Sequence, residues 1–145
     1  MRRLMIGMCV LTAVFVIGCT REKDRLDAEV KRLCAIDGGV KIYEVVTLPP
    51  ERFRPDSGIS IPNKTEMKEE DEFFYLREEK YLKQGSPEFR RNKTQIWRKA
   101  DNKLLGEVVS YHRRGGDMYG PWHDSFFSCP ERYEFESKIF IKQSK

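Results

Sequence analysis

The segment Phe89-Arg90-Arg91-Asn92-Lys93-Thr94-Gln95-Ile96-Trp97-Arg98-Lys99-Ala100-Asp101-Asn102-Lys103-Leu104-Leu105-Gly106-Glu107-Val108-Val109-Ser110-Tyr111-His112-Arg113 reads as two β-strands joined by a short turn. Thr94, Ile96 and Arg98 alternate with Gln95, Trp97 and Lys99, and Val108 and Ser110 alternate with Val109 and Tyr111. A period of two places successive side chains on opposite faces of a sheet. Ala100-Asp101-Asn102-Lys103 supplies turn residues, so Phe89–Lys99 and Leu104–Arg113 are predicted antiparallel neighbours. Phe73–Lys83 is a third strand, set off by Gln84-Gly85-Ser86-Pro87. Its Glu and Lys would suit a helix, but Phe73, Phe74, Tyr75 and Tyr81 favour a strand.

On the N-terminal side, Leu26, Val30, Leu33 and Cys34 follow helical spacing from Arg25, with Asp24 as cap and Gly38-Gly39 as stop. Val40–Val46 reads as a strand ended by Pro49-Pro50. Residues 51–71 read as a surface loop with one extended piece at Ile59–Ile61 and a charged, solvated run from Lys64 to Asp71. Past Arg114, three glycines and a proline over 115–124 forbid a regular element, although Met118, Tyr119 and Trp122 suggest a packed loop. Segment 131–142 alternates as a strand would, yet Ser128 and Pro130 could equally start a short helix. The expected fold is α+β: an antiparallel sheet of four to five strands with an N-terminal helix on one face.

A chain of 145 residues, 39% hydrophobic and 34% charged, suits one domain. Aromatic content of 12% disfavours global disorder, and a mean hydropathy of −0.63 excludes a polytopic membrane protein. The first residues stand apart. Arg2-Arg3 precede an uncharged apolar run from Leu4 to Ile17, too short for an ordinary membrane span and suited to a secretory signal. Val16-Ile17-Gly18-Cys19 resembles the lipobox of bacterial lipoproteins. That resemblance implies cleavage before Cys19 and a lipid-modified Cys19 holding the chain to a bilayer. Thr20, in the place where Asp favours inner-membrane retention in that family, implies outer-membrane sorting in a Gram-negative cell. The expected organisation is a signal over 1–18, a lipidated cysteine and tether over 19–24, and a single domain over 25–145.

Loss of residues 1–18 removes Arg2 and Arg3 and takes the formal charge from +4 to +2, leaving no basic field for nucleic acid. It also removes Cys9. With Cys19 lipidated, Cys34 and Cys129 remain, and an isolated pair in an oxidising compartment reads as one disulfide. The spacing lacks the two-residue separation of redox-active pairs.

Cys34-Ala35-Ile36-Asp37-Gly38-Gly39-Val40-Lys41-Ile42-Tyr43-Glu44, Tyr81-Leu82-Lys83-Gln84-Gly85-Ser86-Pro87, Arg113-Arg114-Gly115-Gly116-Asp117, Gly120-Pro121-Trp122-His123 and Ser128-Cys129-Pro130 together resemble a family of small uncharacterised proteobacterial lipoproteins. The resemblance spans about residues 30–130 and implies location and single-domain character, with no activity, cofactor or catalytic residue to carry over.

Two constellations could carry chemistry. Tyr111 to Asp124 holds both histidines, His112 and His123, with Asp117 and Asp124; such groups could ligate zinc or serve acid–base chemistry, though no zinc-motif spacing is present. Arg90-Arg91 and Arg113-Arg114 form the second. A hairpin centred at 101–102 would set position 90 opposite 113, and the crowded cations could be satisfied by an anionic partner or by carboxylates such as Glu88 and Glu107. The sequence therefore reads as a non-enzymatic envelope lipoprotein that binds an envelope protein or anionic envelope component through Arg90, Arg91, Arg113, Arg114, Trp122 and His123, with no cofactor or metal and no catalytic residues. The alternative is a small metal-dependent or acid–base hydrolase using His112, His123 and Asp117. A structural or assembly role at the membrane is the third.

Overall fold

The computed structural model describes residues 22–55, 58–117, 123–130 and 134–144. Three long strands dominate: β3 (Phe73–Lys83), β4 (Glu88–Arg98) and β5 (Lys103–Arg114), paired antiparallel in that order. The far edge of β5 is shared end to end by β1 (Gly39–Ile42) and β6 (Phe126–Cys129), both antiparallel to it. A second, two-stranded parallel sheet joins β2 (Val46–Leu48) to β7 (Phe140–Lys142). Residues 22–37 form helix α1, and Phe135–Ile139 form the short helix α2. The class is α+β. Among the described residues no helix is long and apolar enough to cross a membrane.

Alternation along the sheet builds two cores. Val109, Tyr111 and Phe89 face Leu26 and Val30 of α1, while Val108 and Ile96 face Phe135 and Ile139 of α2 together with Leu48, Ile59, Phe73 and Phe140. The helices therefore cover opposite faces, α1 towards one end of the sheet and α2 towards the other. Cys34 of α1 is joined to Cys129 of β6, as the cysteine arithmetic predicts. Cys129 pairs with Tyr111 in register, so the bridge lies on the face that α1 covers.

Several sequence expectations change in the structure. Residues 22–24, expected as tether, are helical: Glu22 meets Lys83 at 3.2 Å and Lys23 meets Asp117 at 2.6 Å, which ties this turn to the body. The expected strand Val40–Val46 is split. Leu105 is the extra residue of a bulge in β5, and its carbonyl accepts from the N–H groups of both Tyr43 and Glu44. The chain turns there, and Val46–Leu48 leaves to pair with β7. Ile59, in the piece expected to be extended within a surface loop, is buried and plugs the α2 core. In the tail, Phe135 and Ile139 are both buried one helical turn apart, with Ser137 exposed between them, so that stretch is helical and only 140–142 is strand.

The bulge also corrects the arginine register. Arg98 pairs with Lys103 across the turn, but beyond Leu105 the pairing slips by one, giving Arg90 opposite His112 and Phe89 opposite Arg113. A slip of one residue exchanges faces. Arg90 and Arg113 therefore lie on opposite sides of the sheet.

Gly106 is set by a close approach. A Cβ there would lie 2.8 Å from Ile139 Cδ1 and 3.0 Å from the Lys41 carbonyl oxygen, so only glycine lets α2 and β1 close on β5 at this point.

Candidate functional site

The four arginines singled out by sequence sort into different surroundings. Arg113 is 2% exposed and satisfied internally: its guanidinium donates to both carboxylate oxygens of Asp27 (2.7 and 3.1 Å), to the carbonyls of Gly115 and Ser125, and to the Ser125 hydroxyl. It clamps α1 to the sheet and presents nothing to a partner. Arg91 lies on the same face and donates to Asp37 (2.9 Å) and to the Tyr111 hydroxyl, which itself donates to Asp37 at 2.6 Å. Burial opposes ionisation of Asp37, but these two bonds prevail and hold its carboxyl below the usual range. Arg114 is exposed, 3.8 Å from Asp124.

Arg90 stands on the other face, at the end that α2 does not reach. Register places it in a block: Arg90 opposite His112 and Tyr81, Asn92 opposite Ser110 and Glu79, and Ser128 on the far side of His112. The Ser110 hydroxyl and His112 Nε2 are hydrogen-bonded at 2.8 Å. Phe126 stacks on the imidazole with ring centres 5.4 Å apart, and its own ring is 56% exposed. Arg90 donates to Glu79 at 3.2 Å, and a Glu88 oxygen lies 3.6 Å from its Nε. The Tyr81 hydroxyl bonds Glu79 and, ahead of the Arg90 charge, keeps that carboxylate's pKa low.

This block concentrates unpaid polar groups. Among the described residues, Arg90 Nε, Asn92 Oδ1 and His112 Nδ1 are buried side-chain atoms without a hydrogen-bond partner; the fourth, Trp97 Nε1, lies elsewhere on β4. A buried donor or acceptor left unmade costs about 1–3 kcal/mol, so three in adjacent register positions call for a physical reason. Burial, and then the Arg90 charge, push the His112 pKa below its ordinary value, so the ring is neutral at pH 7.

Asp117, from the hydrolase alternative, is engaged by the Lys23 ammonium at 2.6 Å and the Ser125 N–H at 2.5 Å, which hold it well below the usual carboxylate range. His123 is exposed. His112, His123 and Asp117 do not gather, and among the described residues no three His, Cys, Asp or Glu side chains are placed to hold one metal ion. Cys19 and Trp122 lie outside the described residues.

Sequence reasoning singled out Arg90 and His112 but missed Asn92, Ser110, Ser128, Tyr81 and Phe126. A signal was present in β4: Arg90, Asn92 and Thr94 alternate with Arg91, Lys93 and Gln95, so both faces of a central strand are polar. On the α1 face, an open cleft of about 560 Å³ is lined by Arg25, Leu26, Glu29, Leu33, Leu82 and Phe89, among others. No family model, curated protein or solved structure matches the chain.

Proposed function

We propose that the protein is an exported lipoprotein, held to the bilayer through Cys19 and facing the periplasm from the outer membrane, whose domain is a non-enzymatic binding module for an envelope component. The anchoring part rests on Val16-Ile17-Gly18-Cys19 and Thr20. A Cys34–Cys129 bridge fits an oxidising compartment. Two acyl chains suffice for stable attachment.

The observation that carries the binding reading is the polar block of Arg90, Asn92, Ser110 and His112, with its unpaired atoms and its exposed Phe126 and Tyr81 rings. Folding tolerates such a cost where a partner repays it. A photo-crosslinking side chain placed at Phe126 in the native envelope is expected to capture a specific adduct. The same group at exposed Glu136 serves as the control. Equal capture from both positions would remove the binding reading.

The Ser110–His112 hydrogen bond favours a second reading, a serine hydrolase. Against it, Ser110 is only 2% exposed, and among the described residues His112 Nδ1 has no hydrogen-bond partner to orient the ring. Covalent labelling of Ser110 by a fluorophosphonate probe would favour the hydrolase.

A further inference from the structure

We infer that the block formed by Arg90, Asn92, His112 and Ser128, flanked by Phe126 and Tyr81, is a subsite for a neutral, hydroxyl-bearing ligand of the carbohydrate class. The inference rests on the binding-module reading and names its ligand.

The unpaired atoms state what the ligand must offer. Arg90 Nε–H is a donor and Asn92 Oδ1 an acceptor. His112 Nδ1 donates or accepts according to which ring nitrogen carries the proton in the bond to the Ser110 hydroxyl. The three occupy neighbouring register positions, Arg90 opposite His112 and Asn92 two residues along the strand from Arg90. Directly opposed side chains on one face begin about 4.5–5.5 Å apart. A group that both donates and accepts, repeated at short intervals, meets a donor, an acceptor and an imidazole nitrogen side by side in this way. Adjacent hydroxyls on a sugar ring are such groups.

Charge argues against a free anion. The Arg90 cation is already faced by Glu79 at 3.2 Å and Glu88 at 3.6 Å, so an incoming phosphate or carboxylate would meet two negative charges. His112, with its lowered pKa, adds no positive charge near pH 7. The aromatic rings supply the apolar part of the fit. Phe126 and Tyr81 are 56% and 44% exposed and lie at either side of the block, on β6 and β3, where they offer flat surfaces to the C–H face of a sugar ring. All three unpaired atoms are buried, so a ligand reaches them only by displacing a neighbouring side chain, and the Phe126 ring stacked on His112 is the one placed to move. The ring is more than half exposed and sits on a strand of four residues, so little packing opposes the movement.

The test uses the full chain in detergent micelles, labelled with ¹⁵N, and three probes: chitotetraose, maltotetraose and inorganic phosphate. At least one oligosaccharide is expected to shift the side-chain N–H signals of Arg90 and Asn92 saturably. Asn92→Leu keeps the size, removes the acceptor, and is expected to weaken that binding at least tenfold while raising the melting temperature. A merely structural asparagine would lower it. Should Asn92→Leu fail to fold, His112→Gln takes its place, with the same tenfold loss expected. The proposal is overturned if neither oligosaccharide binds, if only phosphate binds, if an ordered water alone contacts these groups, or if the variant that folds binds as well as the parent. Loss of the oligosaccharide result with specific crosslinking at Phe126 intact would discard the ligand class and leave the binding module standing.

Discussion

Removal of the Asp27 carboxylate by Asp27→Ala leaves Arg113 as an uncompensated cation between α1 and the sheet. The guanidinium is 2% exposed and makes two bonds to Asp27, at 2.7 and 3.1 Å. Breaking one side of a buried pair costs about 3–5 kcal/mol. Two features place this case at the lower end: the Asp27 side chain is 24% exposed, so water can reach the gap, and the Gly115 and Ser125 oxygens continue to accept from Nη1. The expected loss is about 3 kcal/mol, or about 10 °C in melting temperature for a domain of this size. Asp27→Leu combined with Arg113→Met removes both charges. It is expected to recover about half of the loss, because the Gly115 carbonyl and the Ser125 hydroxyl then lose the Arg113 donor, whereas the Ser125 carbonyl keeps the Gly115 N–H. Urea unfolding of the parent, Asp27→Leu, Arg113→Met and the double variant, followed by far-ultraviolet circular dichroism with the disulfide kept oxidised, supplies the four corners of a double-mutant cycle. A loss under about 0.5 kcal/mol for Asp27→Ala, or no coupling between the two positions, would refute Arg113 as the clamp of α1.

Stability is expected to fall as pH drops through the unfolded histidine value of about 6.5, because His112 in the folded state binds its proton only at lower pH. Above that pH both states are neutral at this site and the contribution vanishes; urea midpoints at pH 7.5 and 5.5 measure the change, and His112→Gln should diminish it. Loss of the bridge in Cys34→Ser with Cys129→Ser opens a closure spanning 95 positions and is expected to cost up to about 4–5 kcal/mol, read from the same unfolding curves. Gly106→Ala forces a methyl group against Ile139 and the Lys41 carbonyl and is expected to cost about 1–3 kcal/mol; an unchanged melting temperature would contradict the close approach of α2.

The central hairpins are legible because each carries its own information. Alternation in β4 and β5, turn residues at 100–103, and aromatic residues in β3 specify them locally. The division of Val40–Val46 is not local. Its residues suit a strand throughout, and the break is imposed by the Leu105 carbonyl and by β7, which lies near the other end of the chain. The same bulge hid the arginine arrangement, since one extra residue in β5 moved Arg113 from the expected cation cluster to the α1 interface. In the tail, Phe135 and Ile139, four residues apart, satisfy both periods, and the packing of α2 on Gly106 selects the helix. The pairing of Cys34 with Cys129 was legible by elimination once Cys9 and Cys19 were assigned to the leader and the lipid. The polar block was half legible: its residues are visible, but only the register brings Asn92, Ser110, His112 and Ser128 together.

Intact-mass measurement of the protein extracted from its native membrane, before and after reduction, tests anchoring and export together. The expected species begins at Cys19, carries the mass of a diacylglyceryl group and an amide-linked acyl chain, and gains two hydrogens on reduction of Cys34–Cys129. A chain that retains Met1, or starts at an unmodified Cys19 with Cys34 and Cys129 already reduced, would contradict the account.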